Sequence, residues 1–241
     1  DLVFHALSTT VPGTSNLNPK ADAQINLVGT IGLLDQMVKL GVKRIIFFSS
    51  GGTVYGNAES ETIPETNFLN PIGSSYAIAK TAIENYLFLY EKLHGLKPLV
   101  LRISNLYGQR YGHTGVQGII TTFLSAILKN ESLQVWGDGS AVRDYLYVDD
   151  LIRLCVLAAK SNETGVFNVG AGRGYSILEI IDAVARVVGR KSEVKFEKSK
   201  ALDIKRVVLD ISKAKKVFNW EPRVSLEEGI NNVWKWMSAR V

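Results

Sequence analysis

The 241-residue chain carries a single cysteine, Cys155, so neither an intrachain disulfide framework nor a cysteine-based zinc site is available to it. A reducing cytoplasm is the setting this cysteine usage suits, and no metal site is expected. No apolar stretch approaches the roughly 20 residues of a membrane span, and no basic-then-apolar leader opens the chain. Internal repeats, low-complexity tracts and flexible linkers are all missing. So is a dominant charge, because 28 Lys and Arg stand against 23 Asp and Glu. The densest basic run, Lys191 to Lys205, is broken by Glu193, Glu197 and Asp203. Without a basic face interleaved with aromatics, a nucleic-acid partner is not expected, whereas a net charge of +5 suits a site for a small polyanion.

What is present is an alternation of buried-strand and helix patterns. Asp1 to Ala6 and Arg44 to Phe48 are short apolar runs, as is Pro98 to Ile103. Between them, Ala21 to Leu40 carries apolar residues near helical period and stops at Gly41. Ser75 to His94 is a second long helix, ended by Gly95. Strand, helix, strand, helix, strand predicts a parallel sheet with covering helices. The second half predicts helices over Val116–Leu128, Val148–Ala159, Ile177–Val188 and Leu226–Met237. Short strands are expected near Leu133–Trp136, Val166–Val169 and Val194–Phe196. The two halves should interleave across one cleft, where open α/β sheets bind ligands.

Tyr76 and Lys80 form a Tyr-x-x-x-Lys pair whose spacing puts both side chains on one helix face. An ammonium beside a phenol favours the phenolate, lowering a pKa ordinarily about 10, so the tyrosine can exchange a proton with a hydroxyl near neutral pH. With 9 tyrosines and 17 lysines, chance alone supplies about 0.6 such pairs, so the context must carry the argument. That context is Ser49-Ser50-Gly51-Gly52-Thr53-Val54-Tyr55-Gly56, a small-residue loop following a strand. Its glycines admit a ligand closely and its hydroxyls can bind one.

At these residues the sequence resembles the extended short-chain dehydrogenase/reductases, in particular their NAD-dependent sugar epimerase/dehydratase group. Matching motifs run nearly end to end: Val3-Phe4-His5-Ala6, Asn26-Leu27-Val28-Gly29-Thr30, Ser49 to Gly56, and Ser75 to Lys80. Further on come Leu101 to Gly108, Val135-Trp136-Gly137-Asp138-Gly139, Arg143 to Asp150, Phe167 to Gly172, and Asn219-Trp220-Glu221-Pro222. The resemblance implies a Rossmann-like, doubly wound parallel α/β sheet with a smaller α/β substrate-binding domain. Residues 1–108 would belong to the NAD-binding part and 109–241 mainly to the nucleotide-sugar part, with segments near 148–170 returning to the first. The Gly-x-x-Gly-x-x-Gly fingerprint is absent, and the resemblance implies roughly sixty residues, including that first strand and helix, ahead of the equivalent of Asp1.

The implied activity is NAD-dependent epimerisation of a UDP-sugar at C4 through a 4-keto intermediate. Tyr76 would move the proton of the 4-hydroxyl, and Lys80 would hold the nicotinamide ribose and lower the tyrosine pKa. The family's usual third catalytic hydroxyl falls on Gly51, so Ser50, Thr53 or a water is expected to replace it. NAD contacts are implied for Ala6, Leu7, Ser8, Asn26, Ser49, Ser50, Tyr76 and Lys80. Contacts to the UDP-sugar are implied for Asn105, Gln117, Val135, Trp136, Arg143, Lys200, Asp203 and Val207. Arg143 offers the planar fork that suits a diphosphate, and the alternative for it is a surface pair with Asp144 or Asp149. Lys200 stands where the family has an arginine, keeping the charge without the fork, and Arg206 could compensate. Val207 stands where a bulky residue excludes N-acetylated sugars, so UDP-GlcNAc and UDP-GalNAc are expected to be admitted beside UDP-Glc and UDP-Gal.

A 4,6-dehydratase needs an acid/base pair at the places held by Gly52 and Thr53, and is not expected. A single-step 4-ketoreductase shares nearly all these marks and is the alternative, followed by a non-catalytic NAD-binding relative. A homodimer is implied, formed by the two long helices of each subunit as a four-helix bundle.

Overall fold

The computed structural model describes residues 1–58, 60–71, 73–110, 118–198 and 204–240. Strand β1 (Leu2–His5) leads through two short helices, α1 (Pro12–Ser15) and α2 (Pro19–Asp22), into a π-helical segment Ala23–Val28 and helix α3 (Gly29–Lys39). Then come β2 (Arg44–Ser50), α4 (Ser75–His94), β3 (Lys97–Ile103) and β4 (Asn105–Tyr107). The second half runs α5 (Ile119–Leu128), β5 (Leu133–Trp136), β6 (Val142–Tyr147), α6 (Val148–Lys160) and β7 (Gly165–Val169). It continues with β8 (Gly174–Ser176), α7 (Ile177–Val188), β9 (Val194–Glu197), β10 (Arg206–Val207), α8 (Ser212–Phe218) and α9 (Leu226–Ser238). Among the described residues no helix is long and apolar enough to cross a membrane.

The first sheet has the order β1-β2-β3-β7, all parallel. Its strands are apolar on both faces because both are covered. Ile45, Phe47 and Val100 face Leu34, Met37, Ile83 and Leu87 of α3 and α4. Ile46, Leu99, Leu101 and Phe167 pack with Leu151, Leu154, Ala214 and Phe218 of α6 and α8. Helix α4 begins at Ser74, whose side chain accepts the Ala77 amide. It ends at Gly95, whose φ of 66° a side chain would disfavour. A second sheet, β10-β6-β4 with β8 antiparallel to β6, is covered by α5, α7 and α9. Strand β7 joins the first sheet from the second half, so the two halves share a sheet.

The expected helix over Ala21–Leu40 is three pieces, α2, one π-helical segment and α3. The apolar period did not suggest this, because π-helical turns are rare and a near-helical spacing reads as one α-helix. Strands β4, β6, β8 and β10 and helix α8 had no counterpart in the pattern. Strand β6 (VRDYLY) carries a charged pair mid-strand that hides its alternation.

That charged pair explains the local fold. Asp144 is fully buried, and its carboxylate accepts the amides of Ala171 at 2.7 Å, Gly172 at 3.1 Å and Leu209 at 3.3 Å. Burial outweighs those hydrogen bonds and lifts the carboxyl to about 6. The surface pair considered for Arg143 therefore does not form with Asp144. Asp150, also buried, accepts the amides of Arg223 and Val224, while its backbone carbonyl takes the Trp220 indole N–H at 2.9 Å. The two acids thus tie β6 and α6 to the chain at 171–172, 209 and 223–224.

A Cβ built on Gly170 would lie 2.4 Å from Asp144 Oδ2, too close for any flexible adjustment of a buried carboxylate. Gly170→Ala is therefore expected to cost about 1–3 kcal/mol, read as a lowered midpoint in urea denaturation at unchanged m-value.

Candidate active site

The site is built at the carboxyl ends of β1, β2 and β3, where parallel sheets present loops to ligands. Lys80 is 5 % exposed. Its ammonium donates to the Phe48 carbonyl at 2.7 Å and lies 4.7 Å from the Phe47 ring centroid and 5.5 Å from that of Tyr76. The i, i+4 spacing has brought phenol and ammonium together as expected. Burial pulls the Lys80 pKa down to about 8, opposed by the charges of Glu84 and Asp22.

Glu84 continues the same ladder, four residues beyond Lys80. Its carboxylate accepts the Ser49 hydroxyl at 2.5 Å and a forked pair from Arg102, with Nη2 to Oε2 at 2.6 Å. Arg102 also donates to the Tyr55 hydroxyl at 2.9 Å, and Tyr55 donates to Asn168 Oδ1 at 2.7 Å. Asn168 then closes on the carbonyls of Ile63 and Asp210. The loop between β2 and α4 is thereby fixed from beneath.

At the top of that loop Thr53 donates to the Ser50 hydroxyl at 2.9 Å. Gly51 is glycine for a packing reason: an added Cβ would sit 2.6 Å from Leu209 Cδ1 and 2.8 Å from the Arg102 carbonyl oxygen. No hydroxyl-bearing side chain fits there on this backbone, and Ser50 and Thr53 carry hydroxyls close to it in the chain. Asn105 stands close by, its Oδ1 3.1 Å from a Cβ built on Gly52. In register Asn105 pairs with Tyr145 of β6, two residues from Arg143. Arg143 is partly buried and donates to the Val142 carbonyl.

At the end of β1, Ala6 and Leu7 are exposed and the Ser8 hydroxyl donates to the Thr10 carbonyl. His5, beneath them, meets the Thr30 hydroxyl at 2.8 Å. Thr30 gives its own hydrogen to the Asn26 carbonyl at 2.5 Å, which assigns His5 Nε2 as the donor. Burial first, and then the Lys80 charge, hold the His5 pKa below its ordinary value.

Other residues expected at the site are placed as follows. Ser49 is buried and its hydroxyl is committed to Glu84, so it supports the loop without offering a donor to a cofactor. Asn26 spends its side chain on Thr9, Thr10 and Asp22, ordering the loop after β1. Val135 and Val207 are 1 % and 2 % exposed and packed in the core, while Trp136 points outward at 54 %. Of the Val135-Trp136 pair, only Trp136 can meet a ligand through its side chain. A tyrosine at 207 would displace core side chains, so that substitution does not isolate pocket size. Gln117, Lys200 and Asp203 lie outside the described residues. Asp22, Glu84 and Arg102 were missed as site residues, although Asp22/Asn26 and Lys80/Glu84 stand at the same four-residue spacing that singled out Tyr76 and Lys80.

The donor set fits the nicotinamide half of NAD. A buried ammonium with one of its three N–H groups on a backbone carbonyl suits vicinal ribose hydroxyls, and the exposed small-residue end of β1 leaves room beside it. A parallel sheet with a Tyr-x-x-x-Lys helix at its carboxyl ends defines the class of short-chain dehydrogenase/reductase-like enzymes. The chain belongs to the NAD dependent epimerase/dehydratase family, whose pattern matches residues 1–170. It is 36% identical over 231 residues to a UDP-glucose 4-epimerase of Mycolicibacterium smegmatis, covering 95% of this chain and 74% of that one. The fold superposes on the Thermotoga maritima UDP-glucose 4-epimerase with UDP-glucose at a TM-score of 0.95 and 37% identity, covering 99% and 77% of the two chains. With the Thermus thermophilus UDP-glucose 4-epimerase in complex with NAD, the TM-score is 0.93 and the identity 34%, over 100% and 78%.

Because the folded pKa of Lys80 lies below its unfolded value of 10.5, its burial costs stability at neutral pH, and the loss is recovered as pH rises from about 8 past 10. Lys80→Met should therefore be more stable than the parent at pH 7, by on the order of 1–3 kcal/mol. Denaturant titrations should show that advantage vanishing near pH 10. A mutant less stable at pH 7 would contradict it.

Proposed function

We propose that the protein interconverts UDP-sugars by NAD-dependent epimerisation at C4, through a 4-keto intermediate. The observation that carries this reading is the buried Lys80 ammonium set against Tyr76 at the carboxyl end of a parallel sheet, in a chain of this family. The UDP-glucose held by the Thermotoga maritima relative and the NAD held by the Thermus thermophilus relative support the substrate and cofactor.

NAD, when bound, supplies the redox chemistry at C4 of the sugar. Tyr76 removes the proton from the 4-hydroxyl and returns it after the sugar has turned. Lys80 holds the ribose and favours the phenolate. Ser50 and Thr53, already hydrogen-bonded to each other, orient the 4-oxygen. Arg143 and Asn105, placed near one another by the β4–β6 register, grip the diphosphate, and the outward Trp136 stacks toward the base. Neither Gly52 nor Thr53 offers a carboxyl group, so the loop does not equip the site for 4,6-elimination. Residues 1–108, with α6 and β7, serve the cofactor half, and most of the remainder serves the nucleotide sugar. The exposed apolar residues Ile25 and Val28, and Ile78, Leu89 and Leu93 of α4, form the face through which two copies pair. The cytoplasm is the compartment that fits a free Cys155 and a nucleotide-sugar substrate.

Tyr76→Phe should slow conversion of UDP-galactose to UDP-glucose at least about 100-fold without loss of fold, measured by NMR of the sugar products. Parent protein that reduces a 4-keto sugar with added NADH, yet never interconverts the two UDP-hexoses, would assign a 4-ketoreductase instead.

A further inference from the structure

Asp22 has no part in the reaction as derived so far, yet it is 1 % exposed and fully occupied. Its Oδ1 accepts the Thr10 hydroxyl and the Asn26 amide, the latter at 2.8 Å, while its Oδ2 accepts the Ser75 hydroxyl at 2.6 Å. Thr10 belongs to the loop that follows β1, and Asn26 to the π-helical segment, where it also holds Thr9. Ser75 is the first residue of α4 and adjoins Tyr76. A second bond, from the Ser75 amide to Asn16 Oδ1 at 2.8 Å, runs between the same two regions. One carboxylate thus joins the loop beside the proposed nicotinamide pocket to the helix end carrying the proton-transferring tyrosine. A π-helical turn directly after it is the kind of irregularity found where a side chain must be aimed.

We infer that Asp22 is a positioning residue of the reaction: it locks Tyr76 and the β1 loop into one frame, so that the acid–base phenol and the cofactor-side loop keep a fixed separation. The inference rests on the epimerase reading given above. Its electrostatic corollary concerns Lys80. The groups that face Lys80 are the carboxylates of Glu84 and Asp22, the His5 ring, the rings of Phe47 and Tyr76, and the Phe48 carbonyl. Glu84 is already paired with Arg102, which leaves Asp22 as the carboxylate near Lys80 without a cationic partner of its own among the described ion pairs.

The test compares Asp22→Asn with Ser75→Ala and Thr10→Val, which cut the clamp at its two ends and keep the carboxylate. Hydrogen exchange read by mass spectrometry needs no turnover. Asp22→Asn should speed exchange in peptides covering both Ser8–Val11 and Ser74–Ile78, whereas each end variant should loosen mainly its own segment. In the UDP-galactose assay with NAD supplied, Asp22→Asn should lower kcat at least about tenfold with KM for the sugar little changed. Loss of its charge lowers the Lys80 pKa further, so the alkaline limb of its pH–rate profile should move to lower pH, whereas Ser75→Ala keeps the parental limb. Asp22→Asn with parental exchange in both segments overturns the clamp. Looser segments with parental kcat and an unmoved limb reduce Asp22 to a structural acid and overturn the positioning role. Turnover surviving in Tyr76→Phe would sink the epimerase reading itself, and the exchange data would still judge the clamp.

Discussion

One buried carboxylate governs the centre of the molecule. Glu84 sits 2 % exposed beneath the sheet's carboxyl end, where an unpaired charge would be prohibitive. It is tolerated because Arg102 meets it with a fork from β3 and Ser49 donates from β2. Removing either partner of such a pair typically costs about 3–5 kcal/mol, since the other charge stays buried alone. Satisfying Glu84 therefore dictates where α4 lies against β2 and β3. Through Arg102, Tyr55 and Asn168 it also ties the loop after β2 to the chain at Asp210.

The site inherits its order from that constraint. Lys80 lies one helical turn before Glu84, so the helix that must present Glu84 to Arg102 also presents Lys80 to the Phe48 carbonyl and to the Tyr76 ring. Three residues at four-residue spacing thus form a series, from the Tyr76 phenol through the buried Lys80 ammonium to the fully paired Glu84 carboxylate. A buried acid is structural in β6 as well, where Asp144 is consumed by backbone amides.

The legible parts of the sequence were those set by short-range period. Helices Ser75–His94 and Ile177–Val188 coincide with their expected limits, and the three leading strands stand in a parallel sheet as the alternation implied. Family-like motifs also pointed to Tyr76 and Lys80, whose side chains do meet. What could not be read depended on partners far along the chain. The burial of Val207, the commitment of Ser49 to Glu84 and the contact between Gly51 and Leu209 are all long-range. The π-helical segment after Asp22 was not read from the apolar pattern, and β6 was masked by the charged residues that make it important. Glycine at 51 looked like a lost catalytic position, whereas the close approach of Leu209 and the Arg102 carbonyl shows why nothing larger can stand there.

The most direct test follows the hydrogen at C4. UDP-glucose deuterated at C4 would be incubated with the protein and NAD in ordinary water, and the UDP-galactose formed would be examined by NMR. Epimerisation through a 4-keto sugar held in one site, with Tyr76 moving only the hydroxyl proton, predicts that the product keeps its deuterium at C4. Product carrying solvent hydrogen at C4, or no product at all, would contradict the account.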